Sequence, residues 1–200
     1  MVTATEPSTR DRILGAALVE FGTRGVEATS LDALAAGLGV RKQTILHHYG
    51  SKDRLVDAVV DRSATELAGA LEAALLTAGS GFARVEALVR AVFRVAARRP
   101  ELLGLVREIS RPGSVTAARF ARSMEPLVER ARAFLEVEMA AGTMRVHDPR
   151  VLLLSAYSAV IGVATEVEVL RALGIEPTAR SMIRRRTELL GFLRSALVAD

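Results

Sequence analysis

The chain has 200 residues, a formal net charge of +4, 50% hydrophobic and 4% aromatic residues, and no cysteine. That length supports more than one small helical unit, and the lack of cysteine rules out disulfides, thiolate metal sites and a cysteine nucleophile, which fits a reducing cytoplasm. The charge does not mark a nucleic-acid binder by itself: up to Leu55 seven basic residues stand against six acidic ones, so a local cluster must carry any such role.

Met1–Thr9 is short and polar and lacks the apolar stretch of a signal peptide, so residues 1–9 are expected to form a disordered arm and export is not expected. The run Thr29–Lys52, TSLDALAAGLGVRKQTILHHYGSK, is the most informative part of the chain. Leu31, Leu34, Ala35 and Leu38 recur at the spacing of one apolar helix face, with Ser30 placed to accept a bond from a free backbone N–H. Asp32 puts a carboxylate in the first turn, where the helix dipole favours it, and Gly39 supplies the left-handed conformation a tight turn needs, so the helix is predicted to stop near Leu38. A second helix is predicted over Lys42–Tyr49, burying Ile45 and Tyr49 one turn apart. Two short helices joined by a glycine turn make a helix-turn-helix.

The second helix leaves Arg41, Lys42, Gln43, Thr44, Leu46, His47 and His48 on or near its open face. Lys42 and Gln43 are suited to guanine and adenine edges, and Thr44 to a base edge or a thymine methyl. Thr29, Ser30, His47, His48, Ser51 and Lys52 complete the candidate DNA-contacting set, the last four at positions where donors more naturally meet phosphates, which fix register without reading sequence. An isolated cluster such as Arg41, Lys42, Lys52 and Arg54 is more often a solvated face, but here it sits on a two-helix unit of the right size. Lys42 and Lys52 are the only lysines in the chain. A metal at His47 and His48 is not expected, because adjacent helical positions diverge and no cysteine or third histidine lies nearby.

Arg10–Leu55 resembles the DNA-binding domain of the TetR family of transcriptional regulators. The resemblance covers RILGAALVEFGTRG, a first helix over Arg12–Gly25, then Ala28-Thr29-Ser30, Leu34-Ala35, Gly39-Val40, Lys42, Thr44-Ile45, Tyr49 and Ser51-Lys52. Three positions depart from it: Leu46 stands where the family usually has a DNA-bonding tyrosine, Gly50 replaces a common proline and Gln43 a common glycine. The resemblance implies an all-α fold, with a three-helix DNA-binding domain over residues 10–55 and a helical effector-binding and dimerisation domain over 56–200. It further implies a ligand-responsive repressor that a small hydrophobic effector releases from a palindromic operator in double-stranded DNA.

Beyond Lys52 the sequence reads as successive helices punctuated by glycine and proline. Lys52–Ala78 is predicted as one long amphipathic helix, followed by Phe82–Arg98 after Gly79-Ser80-Gly81, and by a helix from Pro100 to about Arg111 that Pro112-Gly113 ends. Val115–Ala141 is predicted next, with Pro126 kinking it or marking a junction, and Gly142 closing it. Two helices remain, Pro149–Leu173 and Thr178–Val198. Val151–Thr165 carries no charge and, being apolar on more than one face, must be covered on more than one side. It falls short of the roughly 20 residues that span a bilayer. The resemblance implies that helices 149–173 and 178–198 pair with their copies in a homodimer; a central helix of a monomer's core is the alternative on pattern alone.

In the family the middle helices hold the effector. The candidates in this chain are Phe93, Leu103, Arg107, Phe120, Met124, Tyr157 and Ile161, although Met and aromatic residues at helical spacing are more often plain core. Glu166 and Glu168 could recognise a cation but read more simply as a solvated helix end, so a neutral or acidic hydrophobic compound is preferred. No reaction centre, cofactor motif or metal set stands out, and an enzyme is not expected. The alternative to a DNA-binding regulator is a dimeric helical adaptor that binds protein and leaves Lys42, Gln43, Thr44 and Lys52 idle.

Overall fold

The computed structural model describes residues 7–110 and 116–199. Within them lie α1 (Thr9–Arg24), α2 (Leu31–Leu38), α3 (Lys42–Tyr49), α4 (Lys52–Leu76), α5 (Phe82–Arg98), α6 (Pro100–Ile109), α7 (Ala117–Ala140), α8 (Pro149–Thr165), α9 (Val167–Ala172) and α10 (Ala179–Leu197). Among the described residues there is no strand, only an isolated bridge between Met144 and Val198. The fold is all-α, a helix-turn-helix domain followed by a helical domain. No helix of the described residues is long and apolar enough to cross a membrane.

The chain packs as two compact units. The first takes the residues up to Thr65 together with Glu101–Ser123, and the second takes Glu66–Pro100 and the chain from Met124 onward. Helices α4 and α7 therefore contribute residues to both, and α7 changes unit between Ser123 and Met124, two residues before Pro126. 

In the first unit, Ser8 caps α1 by accepting the Asp11 N–H, so the last two residues of the expected arm are the cap and the first helical residue. Ile13, Ala17, Leu18 and Phe21 of α1 bury against Leu34 and Ala35 of α2, Ile45 and Tyr49 of α3, Leu55, Val56, Val59 and Val60 of α4, and Leu105 and Ile109 of α6. Each Val, Leu, Ile or Phe among them contributes about 1.5–3 kcal/mol on leaving water. Tyr49 adds a polar anchor: its hydroxyl donates to the Arg10 carbonyl at 2.8 Å, and the Arg10 guanidinium lies over its ring. The α1–α6 crossing requires glycine on both sides, because a Cβ on Gly22 would overlap the Glu101 carbonyl and one on Gly104 would overlap the Gly22 carbonyl.

In the second unit α5, α8 and α10 pack on one another. They bury Val89, Phe93 and Ala96 of α5, Val160 and Ala164 of α8, and Leu189, Leu193 and Leu197 of α10. Asp148 caps α8 by accepting the Arg150 and Val151 N–H groups, and Thr178 and Ser181 form a reciprocal capping box at α10. The end of α10 is pinned where Arg145 N–H donates to the Leu197 carbonyl at 2.8 Å.

Two predicted boundaries need correction. The helix expected over Pro149–Leu173 breaks at Glu166, whose ψ of 75° is not helical. The Thr165 hydroxyl donates back to the Ile161 carbonyl, a bond that competes with the helix, and the Val163 carbonyl in the last turn of α8 is taken by the buried Arg185 of α10. Of the two alternatives at Pro126, the junction is excluded: α7 is one helix through it, with Pro126 at an exposed position. The expected stop at Pro112-Gly113, the start at Val115 and the arm over residues 1–6 lie outside the described residues.

Candidate nucleic-acid interface and apolar cavity

Ser30 accepts the Ala33 N–H and starts α2; Gly39, at φ 67° and ψ 29°, ends it, and the Gly39 and Val40 N–H groups return to the carbonyls of Ala36 and Ala35. Helix α3 follows after two residues, locked by Ile45 and Tyr49. With those two turned inward, Arg41, Lys42, Gln43 and His47 are exposed and Thr44, Leu46 and His48 half-buried. Gly50 then takes φ +79°, which proline cannot adopt, so the departure from the family pattern at this position has a backbone cause.

The candidate contacts differ in what they leave free. Ser30 and Ser51 accept the N–H groups of Ala33 and Arg54, which uses an acceptor site of each hydroxyl and leaves its proton available to donate. Lys52 is half-buried in the first turn of α4. Thr29 does not share the open face: it is 4% exposed and its hydroxyl donates to the Gly25 carbonyl at 2.9 Å. It serves the turn between α1 and α2. Lys42 Nζ lies 2.8 Å from the Asp32 carboxylate, tying α3 to α2 across the turn and placing an exposed anion beside this candidate cation. The His47 and His48 rings meet edge-on with centroids 5.4 Å apart, and no group of three His, Cys, Asp or Glu that could hold a metal occurs among the described residues.

Inside the second unit α4, α5, α7, α8 and α10 enclose a cavity of about 400 Å³, within the ordinary range for small-molecule sites. The stripe Val85, Leu88, Val89 and Val92 of α5 forms one wall; Leu127, Phe134 and Leu135 of α7 and Leu152, Ala156 and Val160 of α8 form others. Of the residues predicted from sequence, Met124, Tyr157 and Ile161 line it. The other four do not. Phe93 is buried on α5 outside the lining; Leu103, Arg107 and Phe120 belong to the first unit, where Leu103 is buried, Arg107 exposed and Phe120 packed on the core. The cations at the cavity are instead Arg84 and Arg130, and no carboxylate is among its lining residues. Arg84 was not separable in sequence from the other surface arginines. Glu166 and Glu168 do not line the cavity, and Glu168 pairs with Arg171 at 2.6 Å.

Along α8 and α10 a second feature stands out. Leu154 is 63% and Phe192 65% exposed, and Val151, Tyr157 and Ile183 join them at the surface. A groove beside them is lined by Ser158, Gly162, Leu173, Arg185, Glu188 and Phe192, among others.

Residues 13–59 match a protein-family model described as bacterial regulatory proteins, tetR family. The HTH-type transcriptional regulator BetI of Rhizobium meliloti is 32% identical over 96 residues, 48% of this chain and 47% of that protein. The HTH-type transcriptional repressor KstR2 of Mycolicibacterium smegmatis is 31% identical over 98 residues, 48% of each. The matches thus span about half the length of these curated relatives. Among solved structures, AibR in complex with isovaleryl coenzyme A and operator DNA is 19% identical, with a TM-score of 0.77 over 92% of this chain and 97% of that one, a likeness of fold.

Proposed function

We propose that this chain, a TetR-family protein by its N-terminal domain and its fold, is a DNA-binding transcriptional regulator: a homodimeric repressor that holds a palindromic operator and leaves it when a small hydrophobic effector enters the cavity. The observation that carries this reading is α3 itself. Eight residues long, fastened by Ile45 and Tyr49, it presents Arg41, Lys42, Gln43 and His47 outward from a rigid base. Preformed donors on a fixed helix are what reading a major groove requires.

The dimer follows from the uncovered apolar faces of α8 and α10, the elements assigned to the interface over 149–173 and 178–198. Leu154, Tyr157, Ile183 and Phe192 leave water if a second copy seats on them. Twofold symmetry then sets two recognition helices at successive grooves, about 34 Å apart, which one copy cannot reach. AibR, which shares this fold, was solved with both isovaleryl coenzyme A and operator DNA, and that supports joining the two sites in one regulator.

Release follows from helices shared between the units. α4 and α7 each line the cavity and each continue into the first unit. An effector that favours one course of these helices and DNA that favours another must oppose each other reciprocally, and a coupling of about 3 kcal/mol changes operator affinity about 150-fold. Retention of DNA fragments by the full chain tests the reading. Lys42→Ala and Thr44→Ala are expected to lower retention, whereas Lys52→Ala reduces the salt dependence by about one unit of slope. Equal retention by wild type and the Lys42→Ala, Thr44→Ala double variant would point to the helical adaptor.

A further inference from the structure

The cavity is more specific than its apolar walls indicate. From Arg84 we infer that its ligand is an amphipathic anion, a hydrocarbon tail ending in a carboxylate; this deepens the effector reading above and rests on it. Arg84 stands two residues inside α5 and lines the cavity. Its guanidinium lies 5.3 Å from the centroid of the Phe134 ring, itself a wall residue, and its Nε donates to the Gly79 carbonyl at 3.3 Å. The ring and the carbonyl hold the plane of the fork in place. Its terminal nitrogens meet no carboxylate among the described residues.

Other arginines of this unit are already committed. Arg90 is bonded to Glu86, Arg99 to Glu66, Arg130 to Glu72, and Arg132 to Glu129 and Glu136. Arg130 also lines the cavity, so both charges there are positive. A quaternary or ammonium ligand would face the Arg84 guanidinium and, with Arg130 already paired to Glu72, would find no carboxylate among the lining residues. A neutral ligand would fill the apolar walls and leave the oriented fork idle. A carboxylate takes two parallel N–H bonds from a fork already fixed in place, while the tail covers Val85, Leu88 and Phe134. Arg84 is itself an exposed residue, so the head group stays near water while the tail is covered.

Isothermal titration of the full chain with decanoate, 1-decanol and decyltrimethylammonium, all at submicellar concentration, tests this. The tails are identical, so the head group alone differs. Decanoate is expected to bind roughly tenfold or more tighter than decanol, and the ammonium weakest. Arg84→Gln should reduce decanoate to the decanol level and leave decanol unchanged, while Arg84→Lys should keep part of the preference because it keeps the charge and loses the fork. Equal affinity for decanoate and decanol, tightest binding of the ammonium, no binding of any of the three, or an Arg84→Gln variant that retains the preference would each overturn the inference. Fragment retention in the same titrations separates the two readings: decanoate that binds through Arg84 without changing DNA retention leaves the ligand class standing and counts against the regulator, whereas decanol that releases DNA as well as decanoate does the reverse.

Discussion

Arg119, near the start of α7, holds Asp61 of α4 through two 2.6 Å bonds from Nε and Nη2, and its Nη1 lies 3.2 Å from Asp57 one turn earlier. The fork-to-carboxylate geometry fixes direction as well as distance. Farther along the same two helices Arg130 of α7 meets Glu72 of α4. Each unit thus has its own ion pair between α7 and α4, with the cation always on α7. Both helices also line the cavity.

The Arg119–Asp61 pair carries a pH signature. Hydrogen bonds from Arg119 hold the Asp61 carboxyl below the usual carboxylate value, with burial opposing. A carboxyl whose pKa is lower folded than unfolded contributes stability above its unfolded value, near 3.9, and loses that contribution as pH falls through the folded value. Urea midpoints from about pH 6 to about pH 3 should therefore show Asp61→Asn less stable than wild type at the upper end and closer to it at the lower. Parallel profiles would remove Asp61 from the pH response. The pair is partly exposed, so the difference should also shrink in high salt.

Two glycines of α1 should respond in opposite directions to one methyl group. Gly15 has open space where a Cβ would stand, so Gly15→Ala is expected to raise stability by about 0.5–1 kcal/mol through helix propensity alone. Gly22 meets the Glu101 backbone there, so Gly22→Ala must push α1 from α6 and lose about 1–3 kcal/mol or more. Gly104→Ala should match it. Denaturant midpoints of the three variants decide the matter; a Gly22→Ala protein as stable as wild type would mean the crossing yields without cost.

How much of this was legible in the sequence depended on whether the signal was local. The bounds of α2, α3 and α5 follow from residues within each segment: Ser30 and Gly39 for α2, Ile45 and Tyr49 for α3, the 85–88–89–92 stripe for α5. The break at Glu166 was hidden, because it depends partly on Arg185, far along the chain, reaching the Val163 carbonyl. The cavity divided the same way. Met124, Tyr157 and Ile161 line it, while Leu103 and Phe120, equally suitable by pattern, belong to the first unit, since periodicity marks a buried face without saying which partner covers it. Thr29 illustrates the converse. Its hydroxyl looked available in sequence and is spent on Gly25, four residues back.

If α3 meets DNA as proposed, Asp32 should restrain binding. Its carboxylate holds Lys42 at 2.8 Å and presents negative charge beside any phosphate that approaches. Asp32→Asn is expected to tighten fragment retention severalfold at low salt, while lowering stability slightly because a first-turn carboxylate is lost from α2, at about 0.3–1 kcal/mol. Filter binding beside a thermal melt measures both. Weaker retention would instead mean that the Asp32 contact positions Lys42 for its base.

The proposed interface has its own test, because Leu154 and Phe192 are exposed in the single chain and lie outside the first unit. Leu154→Glu and Phe192→Glu should leave the monomer's melting nearly unchanged and shift sedimentation from dimer to monomer. DNA retention should fall with dimerisation, even though no residue of α3 is altered. A dimer that survives both changes would place the contact elsewhere.

The most direct measurement is selection of bound fragments from the source genome by the full chain, followed by hydroxyl-radical footprints of the sites recovered. The expected result is a palindrome protected in two patches about one helical turn, or a multiple of it, apart, lost on Lys42→Ala substitution. Failure to enrich any site, or enrichment that Lys42→Ala and Thr44→Ala together leave intact, would contradict DNA reading by α3.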